Sequence, residues 1–218
     1  MTTSDLGFIH KYIPSSSITR TNDKKLKKLT FLLLHGTGGN EEDLVFLGKE
    51  IEPFASLLSP RGKVLENGMP RFFRRLEEGV FDIKDLKFRT NELADFIKNS
   101  SSVYGFDLKN TIAIGFSNGA NIAASTLLLR PEVIKGAILF RAMIPLVPNT
   151  LPNLSDKKIL LSAGLNDPIV SKEETENLYS LFHKTNTNVT LKWQHSSHNL
   201  VQEDILDARE WMIKNFNS

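Results

Sequence analysis

The sequence predicts a doubly wound α/β domain, with a mostly parallel central sheet and helices on both faces. Three observations carry that prediction. Short, nearly continuous apolar runs recur at residues 29–34, 111–116, 136–140 and 158–163, the pattern of parallel strands covered on both faces. Stretches with apolar residues at helical spacing lie between them. The alternation spans the whole length without repeat, low-complexity tract or linker, so residues 1–218 read as one domain.

Taken in order, residues 8–14 (Phe-Ile-His-Lys-Tyr-Ile-Pro) have strand-like content closed by Pro14, which suits an edge strand. Residues 15–28 are polar and basic, with Arg20, Lys24, Lys25, Lys27 and Lys28 set against Asp23. Lacking interleaved aromatics, they read as a solvated hairpin or loop rather than an anion-binding surface. The run 29–34 is the first core strand. Residues 41–58 place Leu44, Leu47, Ile51, Phe54 and Leu58 on one stripe behind Asn40 as a cap, which predicts a helix. Residues 63–65 and 189–193 read as two further strands. A helix over 91–102 gathers Leu93, Phe96 and Ile97, and helices over 119–129, 171–184 and 199–216 complete the set.

Residues 66–87 resist this scheme. They carry aromatics and arginines without a clear period, and they leave the carboxyl end of a predicted strand. Open sheets bind their ligands outside those ends, and loops there set specificity.

Composition narrows the function classes. A chain of 218 residues buries roughly 70% of its extended surface on folding, so its core needs no staples. With 40% hydrophobic and 24% charged residues it is neither disordered nor fibrous. Twenty-seven basic against twenty-five acidic side chains are too balanced for a nucleic-acid footprint. The absence of cysteine excludes disulfides, a thiolate nucleophile and Cys-ligated metal. No signal-peptide core or run of eighteen apolar residues is present, so the expectation is a cytoplasmic protein without integral membrane contact, a monomer or homodimer.

The strongest local signal is Gly115-Phe116-Ser117-Asn118-Gly119, preceded by an apolar strand and followed by a helix rich in small residues. A serine in that strand–turn–helix setting stands on a sharp turn with its hydroxyl exposed. It becomes a nucleophile only beside a base that a third group orients. In chain order after Ser117, Asp167 follows the strand at 158–163, and His198 lies between the last strand and the last helix. His195 competes with His198 in the same loop, whereas Asp107 and Asp156 lie before their strands, at the wrong end of the sheet. The Gly-rich turn at His35-Gly36-Thr37-Gly38-Gly39 lacks the Lys-Ser/Thr of a phosphate loop and is followed by Asn40-Glu41-Glu42. It reads better as an oxyanion turn: the backbone N–H of Thr37 pairs with that of Asn118, and His35 holds the turn. His195 and His198 lack a third ligand for zinc, and no metal or other cofactor is expected.

Together, His35-Gly36-x-Gly38-Gly39-x-Glu41, Gly115 to Ala120, Gly164-x-x-Asp167-x-Ile169-Val170 and His198 resemble the phospholipase/carboxylesterase family of the α/β-hydrolase superfamily. This family includes acyl-protein thioesterases and small bacterial carboxylesterases. Residues 68–75 and 141–145 are similar to an MhqD-like bacterial branch of it. The resemblance implies Ser117 as nucleophile, Asp167 as acid and His198 as base, with the N–H groups of Thr37 and Asn118 as oxyanion hole. It further implies a small-molecule ester substrate. A short-chain or small aryl ester is the first reading, with lysophospholipase or acyl-protein thioesterase activity as the alternative. Acyl-protein thioesterases more often carry Asp where Gly39 stands, and apolar lid residues where this chain has its Arg/Phe-rich segment. Met69, Arg71, Phe72, Phe73, Arg141 and Met143 are expected to shape a short pocket, walled by Phe or Met with an arginine near its opening; the alternative keeps these aromatics as core, with the arginines snorkelling to solvent. A non-catalytic binding module is the remaining alternative, but it has no use for nucleophile, base, acid and oxyanion turn together.

Overall fold

The computed structural model describes residues 6–15 and 29–216. The chain opens with β1 (His10–Ile13) and β2 (Thr30–Leu34), then α1 (Val45–Ile51) and β3 (Ser56–Pro60). Two hairpins follow, β4 (Val64–Glu66) with β5 (Met69–Arg71), and β6 (Arg75–Glu77) with β7 (Val80–Phe81). The long helix α2 (Ile83–Tyr104) leads to β8 (Thr111–Phe116), α3 (Asn118–Leu129) and β9 (Gly136–Phe140). The chain closes with β10 (Lys158–Gly164), α4 (Lys172–His183), β11 (Asn188–Gln194) and α5 (Gln202–Phe216).

Among the described residues, seven strands form the main sheet in the order β1-β3-β2-β8-β9-β10-β11. All neighbours pair parallel except β1, which runs antiparallel along β3 at the edge. The apolar runs feed two cores at once, because successive side chains of a strand point to opposite faces. Leu32, Leu34, Ala113, Ala137 and Leu139 pack under α2, α3 and α4. Phe31, Leu33, Ile112, Ile114 and Ile138 pack instead against Leu47 and Ile51 of α1 and Ala208, Trp211 and Met212 of α5. The α/β class with helices on both faces is therefore what the chain adopts.

Three local expectations change. The helix expected over 41–58 is α1 alone, and residues 56–60 form β3, which lies between β1 and β2 in the sheet. Pro53 accounts for the break, since the residue before proline is pushed out of helical conformation: Glu52 is extended at φ −146°, ψ 99°. The strand expected at 63–65 does not join the main sheet. Residues 64–66 pair with 69–71 across Asn67-Gly68, both at positive φ, the turn that a two-residue hairpin favours. Finally, α2 begins at Ile83, where the side chain of Asp82 accepts a hydrogen bond from the Asp85 N–H, well before residue 91. The basic stretch at 16–28 lies outside the described residues. Among those described, no helix is long and apolar enough to cross a membrane.

Candidate active site

The nucleophile candidate sits where β8 turns into α3. Ser117 has φ 52° and ψ −116°, a conformation that a non-glycine residue keeps only when its surroundings enforce it. The crowding is visible on both sides. A Cβ on Gly115 would lie 2.6 Å from the Ala120 backbone, and one on Gly119 would lie 1.9 Å from the Leu34 carbonyl oxygen. Helix and sheet therefore meet backbone to backbone at this turn. The Ser117 N–H donates to the Phe140 carbonyl at 2.9 Å, fixing the turn to the end of β9.

Two loops at the same end of the sheet bring the partners. Asp167, past the end of β10, accepts hydrogen bonds on Oδ1 from the N–H groups of Ile169 and Val170, at 2.8 and 3.0 Å. Its Oδ2 is thereby aimed at His198, whose Nδ1 lies 2.8 Å away, and the carboxylate is almost wholly buried. His198 Nε2 stands 2.9 Å from Ser117 Oγ. With a carboxylate on one ring nitrogen, the tautomer that satisfies both partners carries its proton on Nδ1 and accepts from the serine at Nε2. His195 is exposed. Of the two histidines in this loop, His198 is the one brought to Ser117.

The Gly-rich turn after β2 faces this group. Among the described residues no acceptor is assigned to the backbone N–H of Thr37 or of Asn118. The turn is braced from three sides. The Gly38 N–H donates to the Pro70 carbonyl at 2.9 Å, Arg71 donates to Thr37 Oγ1 at 2.7 Å, and the Phe72 N–H donates to Asn118 Oδ1 at 2.8 Å. Of three consecutive residues in one segment, Pro70 thus holds Gly38, Arg71 holds Thr37 and Phe72 holds Asn118. His35 locks the turn's base: Nδ1 bonds the Gly36 carbonyl at 2.6 Å, and Nε2 accepts the Gly62 N–H at 2.9 Å. Burial holds this imidazole below its usual pKa, against the opposing pull of the Gly36 carbonyl.

Comparison with known proteins places the chain. A family model described as Phospholipase/Carboxylesterase matches residues 16–216. The chain belongs to the phospholipase/carboxylesterase family. It is a hydrolase of the α/β-hydrolase superfamily. Among its relatives is the "Putative hydrolase MhqD" of Bacillus subtilis (strain 168), 51% identical over 180 residues, covering 83% of this chain and 90% of that protein. Among solved structures, the Bacillus cereus carboxylesterase is 46% identical with a TM-score of 0.89, covering 95% of this chain and 94% of that one. The carboxylesterase from Mesorhizobium loti is 27% identical, with a TM-score of 0.86 and 96% of each chain covered.

Against this family frame, the residues expected to shape a pocket divide sharply. Phe72 and Phe73 are buried in the core, Phe72 with its ring against His35 and Phe73 edge-on to Phe81. They cannot serve as the expected open wall, because the hairpin segment turns them inward. Arg71 is buried as well, paired with Glu66 and bound to Thr37, and so braces the turn rather than guarding an opening. Arg141 is wholly buried against Asp204, where a charge held by a carboxylate has no access to a pocket mouth. Met69 is 42% exposed beside Gly38, and Met143 is half-buried, its backbone N–H held by Asn121 Oδ1 at 2.8 Å. Those two remain the accessible members of the set.

Sequence reasoning missed Asn121, Ser162, Ser196 and Asp204, which hold the loops around the site. Asp204 reads in sequence as an ordinary helix-start carboxylate, and nothing local points to a partner 63 positions away. Phe116 was legible only as a strand residue, yet its ring lies 5.5 Å from that of His198, centroid to centroid. Among the described residues no group of three His, Asp or Glu side chains is arranged to hold a metal ion.

Proposed function

We propose that this hydrolase is a serine carboxylesterase for short-chain or small aryl carboxylic esters, working through Ser117, His198 and Asp167. The observation that carries the reading is the unbroken pair of hydrogen bonds from Ser117 Oγ to His198 and from His198 to Asp167, at 2.9 and 2.8 Å. His198 Nε2 takes the hydroxyl proton as Ser117 attacks the ester carbonyl carbon. The carbonyl oxygen becomes an alkoxide between the N–H groups of Thr37 and Asn118, donors whose worth rises as charge develops. The imidazolium, oriented by Asp167, passes its proton to the departing alkoxide and leaves an acyl-enzyme. Water then attacks the acyl carbon, gives its proton to His198, and the serine is regenerated as the acid departs.

Ester chemistry is supported by the likeness to a carboxylesterase at 46% identity. The preference for small acyl groups is the sequence reading carried forward, and Met69 and Met143 are the accessible residues of the expected pocket that could bound the acyl group.

The deciding experiment measures kcat/KM over p-nitrophenyl esters of increasing acyl length, beside a palmitoyl thioester and a small aryl ester, with Ser117→Ala as control. A fully buried methylene contributes about 0.8 kcal/mol, so a long channel would make kcat/KM climb steeply with length. The expected profile peaks at the shortest acyl groups and then falls. A maximum on the longest esters, or on the thioester, would move the enzyme to the lysophospholipase or acyl-protein thioesterase reading. A fluorophosphonate should label Ser117 and no other serine, and full turnover in Ser117→Ala would refute the mechanism.

A further inference from the structure

Arg141, the residue after β9, is the largest fully buried side chain among the described residues. Its φ is 56°, in the left-handed region that disfavours a side chain, so the surrounding contacts hold it there. The guanidinium donates to the carbonyls of Ser197 at 3.2 Å, Asn199 at 2.7 Å and Ser162 at 3.2 Å, and to Ser196 Oγ at 2.9 Å. It also forms a two-point pair with Asp204, at 2.9 and 2.7 Å. Asp204 is filled in turn by Ser162 Oγ at 2.5 Å and the Val201 N–H at 2.9 Å. Ser197 and Asn199 are the neighbours of His198 on either side.

A buried ion pair gives back in mutual attraction little more than the desolvation of its charges costs, so stability is a weak reason for an arginine here. Its fork of donors is better suited to fixing several carbonyls at once. The position in the sheet sharpens the point, because β9 lies between β8, which delivers Ser117, and β10, which leads to Asp167. The Phe140 carbonyl accepts the Ser117 N–H, and the next side chain grips the loop on both sides of His198. The loop's other face is tied to the Asp167 strand end by the Leu165 N–H to the Gln194 carbonyl, 2.8 Å, and the Asn166 N–H to the Ser196 carbonyl, 3.0 Å. It sits so close that a Cβ on Gly164 would come within 2.3 Å of the Ser197 carbonyl oxygen.

We propose that Arg141 is a positioning residue: the Phe140–Arg141 step sets the distance between Ser117 and the His198 imidazole, with Asp204 and Ser196 holding the guanidinium in place. The inference rests on His198 being the base. Arg141 touches neither substrate nor reacting atoms.

The test uses Arg141→Lys, which keeps the charge for Asp204 but not the fork, and the milder Ser196→Ala, which removes one contact without stranding a charge. For each, kcat and KM on p-nitrophenyl acetate are measured with melting temperature and the far-downfield proton resonance of the His198–Asp167 hydrogen bond. Displacement of a reacting group by about 1 Å costs on the order of 100-fold in rate. The expected result is a fall of that order in kcat for Arg141→Lys, with KM held and the resonance lost or moved, and a smaller fall in the same sense for Ser196→Ala. Should Arg141→Lys fail to fold, Ser196→Ala decides alone. A folded variant with wild-type kcat, or with reduced kcat and an unmoved resonance, would overturn the proposal. Wild-type turnover in a His198→Ala control would instead remove the base assignment beneath it.

Discussion

Replacing Gly119 by alanine perturbs the site through the backbone alone. The new Cβ would start 1.9 Å from the Leu34 carbonyl oxygen and 2.5 Å from that of His35. Both are backbone atoms at the end of β2, so no rotamer relieves the clash. Restoring even 3.0 Å requires a relative shift of about 1.1 Å between α3 and β2. Asn118 moves with the helix and Thr37 with the strand end, so the two N–H groups proposed to hold the oxyanion separate by a comparable distance. A displacement of about 1 Å costs on the order of 100-fold, and loss of one oxyanion donor about 100- to 1000-fold, so kcat should fall into that range. Overpacking of about 1–3 kcal/mol should lower Tm by roughly 2–12 °C in a domain of this size. Gly105→Ala is the control. Its φ is 71° at the end of α2 with nothing near the new Cβ, so it should cost stability through strain and leave kcat alone. The assay is kcat on p-nitrophenyl acetate beside thermal melting. A Gly119→Ala protein that melts early but keeps wild-type kcat would show that the donors do not ride on this contact.

His198→Ala should lower kcat/KM by at least about 100-fold, whereas His195→Ala, at an exposed position, should leave it unchanged; loss from His195→Ala alone would reverse the base assignment. Asp167→Asn should cost on the order of 10,000-fold in kcat by favouring the wrong imidazole tautomer, read in the same assay. His35 supplies a pH prediction. Its folded pKa is depressed by burial, so below about pH 6.5 the unfolded chain binds a proton that the native state refuses. Stability linked to His35 is therefore full above that pH and is lost as pH falls through it, and Tm should drop more steeply from pH 7 to 5 in the wild type than in His35→Gln. Equal slopes would refute a neutral buried His35.

The order of the candidate residues along the chain was legible because their signals are local. Gly115 to Gly119 carries its own steric signature, Asp167 follows a strand that its apolar run announces, and His198 stands at a strand–helix junction. The fold class was legible for the same reason, since parallel strands buried on both faces leave continuous apolar runs such as Phe31 to Leu34. Where local signals compete, reading along the chain fails: the apolar stripe over Leu47, Ile51 and Leu58 fits a single helix until Pro53 is weighed, and β3 is a strand because β1 and β2 flank it.

What the tertiary structure alone decided is which polar side chains are spent on architecture. Arg71 and Arg141 look from sequence like charges available to a substrate, yet one is bonded to Thr37 and the other to Asp204. A guanidinium has the same composition whether it faces water or carbonyls, and its environment here comes from segments distant in sequence. The sequence by itself determined that a serine on a strand–turn–helix, an acid and a histidine occur in the order the proposed triad requires, on the right kind of frame. Their convergence to hydrogen-bonding distance depends on contacts 81 and 31 residues apart, which exist only once the sheet has closed.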